Sequence, residues 1–317
     1  MKTALKKKHL CIVNPIAGNG FAATQVPILK NMLARHNIEE NLVYTERKGH
    51  AAEIAADYIK KGFTHIFALG GDGTFSETAQ SLIGHPKVVF GPISAGTGND
   101  FIHIAGFSDH FTPLDWDVFF EENTIMMDAG SCNGHYFING MGLGMDAQVA
   151  AENYRHEKKL SLKEDAKVKK GSKAKYLWHI VKTLLFYREQ TAKFIYDGKT
   201  ESRSIFLNSI GMGRRMAGGM YLTPRAFAND GLMDICMIRK LGLFGRLKAL
   251  DKVKKQTHLD EPYVNYIQTA KISYEFDREV PSHLDGELYF NTRFDIEVLP
   301  KAIKIVYNPR GGHYFRV

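Results

Sequence analysis

The sequence predicts an α/β protein of two domains, a doubly wound α/β domain followed by a β-rich one. Three observations carry this. The chain has 317 residues, about two domains at roughly 150 residues each. Short apolar runs alternate with helical periodicity through the first 90 or so residues, the βαβα rhythm of a parallel sheet covered by helices. After about residue 125 the runs follow one another with few helices between them.

In the first half, HLCIVN at 9–14 is apolar and stopped by Pro15, so it reads as a strand. Val26, Leu29 and Leu33 recur at helical spacing. A strand near Leu42–Tyr44, an alanine-rich helix at 50–61, a strand at 65–69, a helix at 75–84 and a strand at 88–90 follow. In the second half, 124–132, 135–140, 191–197, 203–212, 232–239, 269–276 and 288–298 read as strands, and 174–189 and 243–256 as helices. The Gly142–Ala147 run follows a strand in the wrong half for a dinucleotide fingerprint.

The composition is ordinary for a globular protein, with 44% hydrophobic and 24% charged residues. The net charge of +8 is unusual and suggests an anionic partner: nucleotide, nucleic acid or membrane surface. Arg155–Lys175 holds nine basic and three acidic residues, most of that surplus. It leads into a stretch where Leu177, Val181, Leu184 and Leu185 share a helical face. A basic patch beside an amphipathic helix, with Trp178 at the interface, suits transient contact with an anionic membrane surface. A core helix after a solvated lysine loop is the plainer alternative. No recognition motif supports nucleic acid. The three cysteines, Cys11, Cys132 and Cys236, form no zinc or disulfide pattern and point to a reducing cytosol. No stretch has the roughly 20 apolar residues of a membrane span.

Three glycine loops follow strands, at the edge where open α/β sheets bind ligands. They are Asn14–Gly20, Gly70–Thr74 and Pro92–Asp100. Glycines allow backbone N–H groups close to phosphate. Thr45 ends the second strand at the same edge, and Thr74 and Ser76 add hydroxyls. Asp72 would repel phosphate directly, so its role is a magnesium or water bridge. Thr74, Asn99 and Asp100 are also helix-cap candidates. A tight turn with a capping residue explains a lone GGDG equally well; several such loops on one edge are harder to explain that way.

The combination NPxxGxG, GGDGT and PxGTxND resembles the diacylglycerol kinase catalytic family, which includes bacterial lipid kinases and sphingosine and ceramide kinases. GLGMDA (142–147), DGLMD (230–234) and LDGE (284–287) resemble its later motifs. The resemblance spans nearly the whole chain. It implies an NAD kinase- and phosphofructokinase-like nucleotide domain at 1–125, a β-sandwich-like lipid-substrate domain at 126–301, and a return of 302–317 to the first. It implies ATP on Asn14, Pro15, Gly18, Thr45, Gly70, Gly71, Asp72, Gly73, Thr74, Ser76, Thr97 and Asn99. It also implies catalytic carboxylates at Asp285 and Glu287, and Mg²⁺ at Asp230 with backbone oxygens near Phe227 and Leu232. The implied enzyme is an ATP- and Mg²⁺-dependent kinase of a lipid hydroxyl such as that of diacylglycerol. It feeds phospholipid metabolism and works in the cytoplasm at the inner face of the membrane.

Two departures stand out. Asn19 replaces a lysine found in some lipid-kinase loops, leaving Lys48 or Lys175 to neutralise phosphate; Ser76 replaces a common asparagine. Asp285 and Glu287, two apart, can face one side of a strand or turn. One would take the acceptor's proton while the other anchors Mg²⁺ or orients a lysine. NAD kinase shares GGDGT, but PxGTxND and the late DGE argue against it. A non-catalytic nucleotide- or membrane-binding module is disfavoured by the retained acids. The acceptor lipid and the oligomeric state, with a homo-oligomer possible, are not readable.

Overall fold

The computed structural model describes residues 7–152 and 182–317. The first half runs β1 (His9–Val13), α1 (Phe21–Arg35), β2 (Leu42–Tyr44), α2 (His50–Lys60), β3 (His65–Gly70), α3 (Asp72–Leu82), β4 (Val89–Ser94) and α4 (Pro113–Phe120). The second half runs β5 (Thr124–Cys132), β6 (His135–Phe137), β7 (Gly140–Gly144), β8 (Gln190–Tyr196), β9 (Lys199–Gly211) and β10 (Met233–Arg239). It ends with α5 (Leu243–Lys254), β11 (Val264–Thr269), β12 (Lys271–Leu284) and β13 (Glu287–Val306). Residues 145–152 and 182–186 are also helical.

The first four strands are parallel, in the order β2-β1-β3-β4. β1, β3 and β4 are buried along their whole length, as expected of strands covered on both faces. The register pairs Phe67 with Gly91 and Ile66 with Phe90. Phe67 meets Phe119 and Phe120 at the end of α4, while Phe90 meets Phe75 of α3. Neighbours along a strand face opposite ways, so α4 and α3 cover opposite faces. α4 opens on a capping box between Thr112 and Asp115.

The second half is antiparallel. β9 pairs with β8 along its first part and with β7 along its last. β12 does the same, with β8 at Ile272–Phe276 and β7 at Ser282–Leu284. β12, β8, β9 and β7 therefore close into a ring around a core that includes Met141, Phe194, Ile210 and Tyr274. β13 binds the halves together. It pairs antiparallel with β12 and β5, and near its end Lys304 and Ile305 pair parallel with Val89 and Phe90 of β4.

The structure corrects several expectations. α3 begins at Asp72, so Thr74 lies inside the helix and does not cap it. The Gly142–Ala147 run does not simply follow a strand: its glycines belong to β7, which pairs with β9 and β12. β11 and α4 had no counterpart in the sequence reading. The basic segment 155–175 and most of the expected helix at 174–189 lie outside the described residues. Within 182–186, Leu184 is buried but Leu185 and Phe186 are exposed, so Leu184 and Leu185 do not share one buried face. Among the described residues no helix is long and apolar enough to cross a membrane.

α5 is held by a buried cation. Arg246 pairs with Glu189 and donates to the carbonyls of Leu184, Tyr187 and Leu241. Both charged side chains are more than nine-tenths buried, so removing one strands the other. Arg246→Met is expected to lower unfolding stability by about 3–5 kcal/mol in urea titration, with little change when the neighbouring exposed Lys248 is replaced.

Candidate active site: a glycine-lined cleft beside an apolar cavity

The three glycine loops meet at the carboxyl ends of β1, β3 and β4. Their contact is backbone on backbone. A Cβ on Gly71 would lie 2.9 Å from the Gly96 Cα, and one on Gly96 would lie 2.5 Å from the Gly71 Cα. Gly18 has a left-handed backbone (φ 59°), and a Cβ there would lie 2.2 Å from the Ala95 carbonyl oxygen. These glycines are needed because the loops touch where a side chain would stand.

Side chains then lock the loops. Asn14 Nδ2 donates to Thr74 Oγ1 (3.0 Å). Asp72 Oδ1 accepts from the Phe101 backbone N–H (2.9 Å), tying the second loop to the turn after the third. Asn99 is buried, and its amide bonds Gly96 on both sides and the Asp109 carbonyl.

A cleft of about 560 Å³ opens over these loops. It is lined by Asn14, Gly18, Thr45, Gly71, Gly73, Thr74 and Thr97, together with Lys48 and Glu287. Lys48 Nζ pairs with a Glu287 carboxylate oxygen across the cleft. Glu46, Arg47 and Glu77 also line it; glycine backbone, hydroxyls and the Lys48 and Arg47 cations suit an anion such as phosphate.

Pro15, Gly70, Asp72, Ser76 and Asn99 do not line this cleft. Pro15 shapes the turn after β1, and Gly70 is buried at the end of β3, where a Cβ would strike Thr74. Ser76 is buried in α3. The side-chain amide of Asn99 is spent on its own loop. Asp72 faces a second cavity.

That second cavity, about 430 Å³, is largely apolar, with Met145, Val149, Leu207, Met216, Leu222 and Leu250 among its lining residues. Asp72, Asp100, Asp146, His283 and Asp285 are its acidic and imidazole groups. Asp285 and Gly286 form the two-residue turn between β12 and β13, both with positive φ (46° and 92°). The turn sets the two carboxylates apart: Asp285 faces the apolar cavity and Glu287 faces the glycine-lined cleft. The expectation that both face one side is therefore corrected, because residue 285 lies in the turn and residue 287 on the strand.

Asp285 accepts backbone N–H bonds from Ile138 (2.8 Å), Asn139 (3.0 Å) and Gly140 (2.9 Å). Burial nevertheless pushes its carboxyl above the ordinary range, opposed by those three amides and by the Ser76 hydroxyl. Burial likewise raises Asp100, with the Asp72 charge adding to the shift. Its carboxylate accepts from the Gly218 N–H and faces Arg215.

His283 and Asp146 form a pair at 3.2 Å in the same cavity. Gly142 makes room for it: a Cβ there would lie 2.0 Å from Asp146 Oδ2 and 2.3 Å from His283 Nε2. His283, Arg215 and Asp100 were not read as site residues from sequence. For His283 a signal existed, since it lies at the end of β12, two residues before Asp285 and directly beside the LDGE motif.

Asp230, Phe227 and Leu232 line neither cavity. Asp230 Oδ1 accepts from the Leu232 N–H (3.1 Å) in a tight turn. Its Oδ2 is buried without a hydrogen bond and faces Arg316 at 3.1 Å. Phe227 is stacked between Arg214 and Arg316. Burial, with the Asp230 charge adding, pushes up the nearby carboxyls of Asp128 and Asp234. A buried anionic oxygen among acids suits a cation, a place that the Arg316 guanidinium takes at 3.1 Å.

The loop contacts allow a paired test. Gly96→Ala is expected to cost about 1–3 kcal/mol by overpacking, because its Cβ meets backbone. Gly73→Ala in α3 meets nothing within 4 Å and is expected to leave the midpoint of urea unfolding equal or slightly raised.

Known proteins share this architecture. Residues 8–158 match the family described as the diacylglycerol kinase catalytic domain, and residues 141–307 the YegS C-terminal NAD kinase beta sandwich-like domain. A diacylglycerol kinase of Staphylococcus carnosus is 26% identical over 315 residues, covering 95% of this chain and 97% of its own. The Shewanella frigidimarina protein named "Probable lipid kinase YegS-like" is 27% identical over 299 residues, covering 92% of each chain. The crystal structure of a diacylglycerol kinase from Bacillus anthracis superposes with a TM-score of 0.73 at 22% identity, covering 97% of this chain and 99% of that one, a likeness of fold. With both domains matched in order, the chain belongs to the diacylglycerol kinase and YegS-like lipid kinase family.

Proposed function

We propose that the protein transfers the γ-phosphoryl group of ATP to the hydroxyl of a lipid such as diacylglycerol, with Mg²⁺. The observation that carries this reading is the Asp285–Gly286 turn, whose flanking carboxylates face two different cavities. A polar, glycine-lined cleft suits ATP and an apolar cavity suits an acyl chain, with the turn at their junction. Residues 1–125 with 302–317 then form the nucleotide domain and 126–301 the lipid domain.

The phosphates are held by the amides of Gly18, Gly71 and Gly73, with Asn14 and the hydroxyls of Thr45, Thr74 and Thr97 alongside. Lys48, oriented by Glu287, supplies the positive charge that Asn19 lacks. Bound Mg²⁺ would neutralise phosphate charge as it moves to the acceptor. Asp230, with backbone oxygens of Phe227 and Leu232, would hold a further divalent ion that braces the second domain. Asp285 takes the proton from the lipid hydroxyl, because it faces the apolar cavity and its raised pKa suits a base. Asp72 and Asp100 line the same cavity and add negative charge to it. Neither Glu287 nor Lys48 reaches that cavity in the structure, so Glu287 is the orienting partner.

Purified protein is expected to transfer ³²P from ATP to diacylglycerol in mixed micelles with Mg²⁺. Asp285→Asn should lower kcat by about 10²–10⁴-fold. The base must be ionised, so kcat/KM should fall as pH drops through the raised Asp285 pKa, above the ordinary carboxylate value of about 4. That limb should vanish from the residual activity of the variant. Transfer to NAD and to no lipid would overturn the reading.

The basic segment 155–175 is proposed to meet an anionic membrane surface transiently, with exposed Phe186 close by in sequence. Liposome flotation should weaken with salt and with charge reversal at Lys167, Lys169 and Lys170. Salt-independent flotation counts against it.

A further inference from the structure

We propose that His9, His65 and Glu122 form a binding site for a divalent transition-metal ion of the zinc class, at the end of the parallel sheet opposite the glycine loops. His9 and His65 open β1 and β3 and are register partners, so their side chains leave the same face of the sheet. The ring centroids are 4.4 Å apart and both residues are 7% exposed. Glu122 reaches them from a left-handed turn (φ 52°) just after α4. Its Oε1 lies 2.8 Å from His9 Nε2 and its Oε2 lies 3.7 Å from His65 Nε2.

One ligand atom from each residue lies within 4.8 Å of the others. Zinc–nitrogen and zinc–oxygen bonds are about 2.0–2.2 Å, which places ligand atoms of one ion roughly 3–3.5 Å apart. Small side-chain rotations close the difference.

The surroundings are those of a ligand set. His65 Nδ1 lies 2.9 Å from Thr64 Oγ1, which also accepts from the Lys8 N–H. When Nδ1 carries the proton and hydrogen-bonds to Thr64, the Nε2 lone pair is left for an ion held between it and Glu122. Metal-bound histidines are commonly oriented in this way through their second nitrogen. Lys7 is the cation now paired with Glu122, and its side chain is 61% exposed, so an ion can displace it at little cost. A cavity of about 510 Å³, lined by His9, Glu122, Lys7 and His36, opens beside the triad and leaves space for water as a further ligand. Two imidazoles and one carboxylate favour zinc-class ions over Mg²⁺. The phosphoryl-transfer reading uses none of these residues. A bound ion would join the turn after α4 to the start of two central strands, so it stabilises the fold.

The test uses untagged, full-length protein stripped with a chelator. Calorimetric titration with Zn²⁺ should show one saturable site per chain that Mg²⁺ does not fill. Co²⁺ should give visible ligand-field absorption at that stoichiometry, and Zn²⁺ should raise the thermal midpoint. His65→Gln and Glu122→Gln should each lose all three signals. Circular dichroism in chelator reports whether each variant folds, and either folded variant suffices to decide. For a variant that does not fold, the wild-type Co²⁺ spectrum and zinc-edge X-ray absorption read the ligands directly. The same saturable binding in a folded variant overturns the proposal. So does wild-type protein with no Co²⁺ spectrum, which leaves a hydrogen-bonded His–Glu network only.

Discussion

Three backbone N–H groups, those of residues 138–140, converge on the Asp285 carboxylate, and the arrangement of the site depends on that convergence. The Asp285 N–H returns a bond to the Gly140 carbonyl, so the hairpin tip and the start of β7 hold each other. The same β12–β13 hairpin then runs into β13, whose far end pairs with β4 of the parallel sheet. One continuous strand thus fixes the distance between the tip and the glycine loops. Without it the cleft and the apolar cavity would belong to two independently placed domains.

The energetics of Asp285 balance two opposed demands. Three amide donors favour the charged form, while burial favours the neutral one. Burial wins in the structure, leaving a carboxyl held in position yet more basic than an exposed aspartate. A group bound by fewer amides would be mobile, and one fully solvated would be a weak base. Asp100 meets the same balance with the Gly218 amide and Arg215, and the Asp72 charge adds to its shift. Several acids lining an apolar cavity are costly unless function retains them.

The glycine loops show how a motif carries two kinds of information. Gly18, Gly71 and Gly96 are required by the contact between loops. Asn99 and Asp72 are spent on hydrogen bonds that hold those loops. The residues left facing the cleft are fewer than the motifs suggest, and Lys48 joins them from the chain after β2. Gly142 has a comparable task in the second domain, clearing room for the His283–Asp146 pair.

The order of strands and helices in the first half was legible from apolar periodicity, because parallel strands buried on both faces leave continuous apolar runs. The strands read at 124–132 and 232–239 correspond to β5 and β10, antiparallel strands that are nonetheless buried along most of their length and so also leave apolar runs. The start of α3 was not legible: DGT looks like a loop, but the helix begins at Asp72, directly after Gly71, which packs on Gly96. The motif residues were legible as a family pattern, but not which way each points. That Asp285 and Glu287 serve opposite cavities follows from a two-residue turn, where successive φ values above zero rotate one carboxylate away from the other. The pairing of His9 with His65 is likewise a product of parallel register, which brings together residues 56 positions apart along the chain, and Glu122 joins them from the turn after α4. The sequence by itself determined which groups are available. Tertiary structure decided which of them meet, because sheet register and hairpin turns are long-range constraints that local periodicity does not encode.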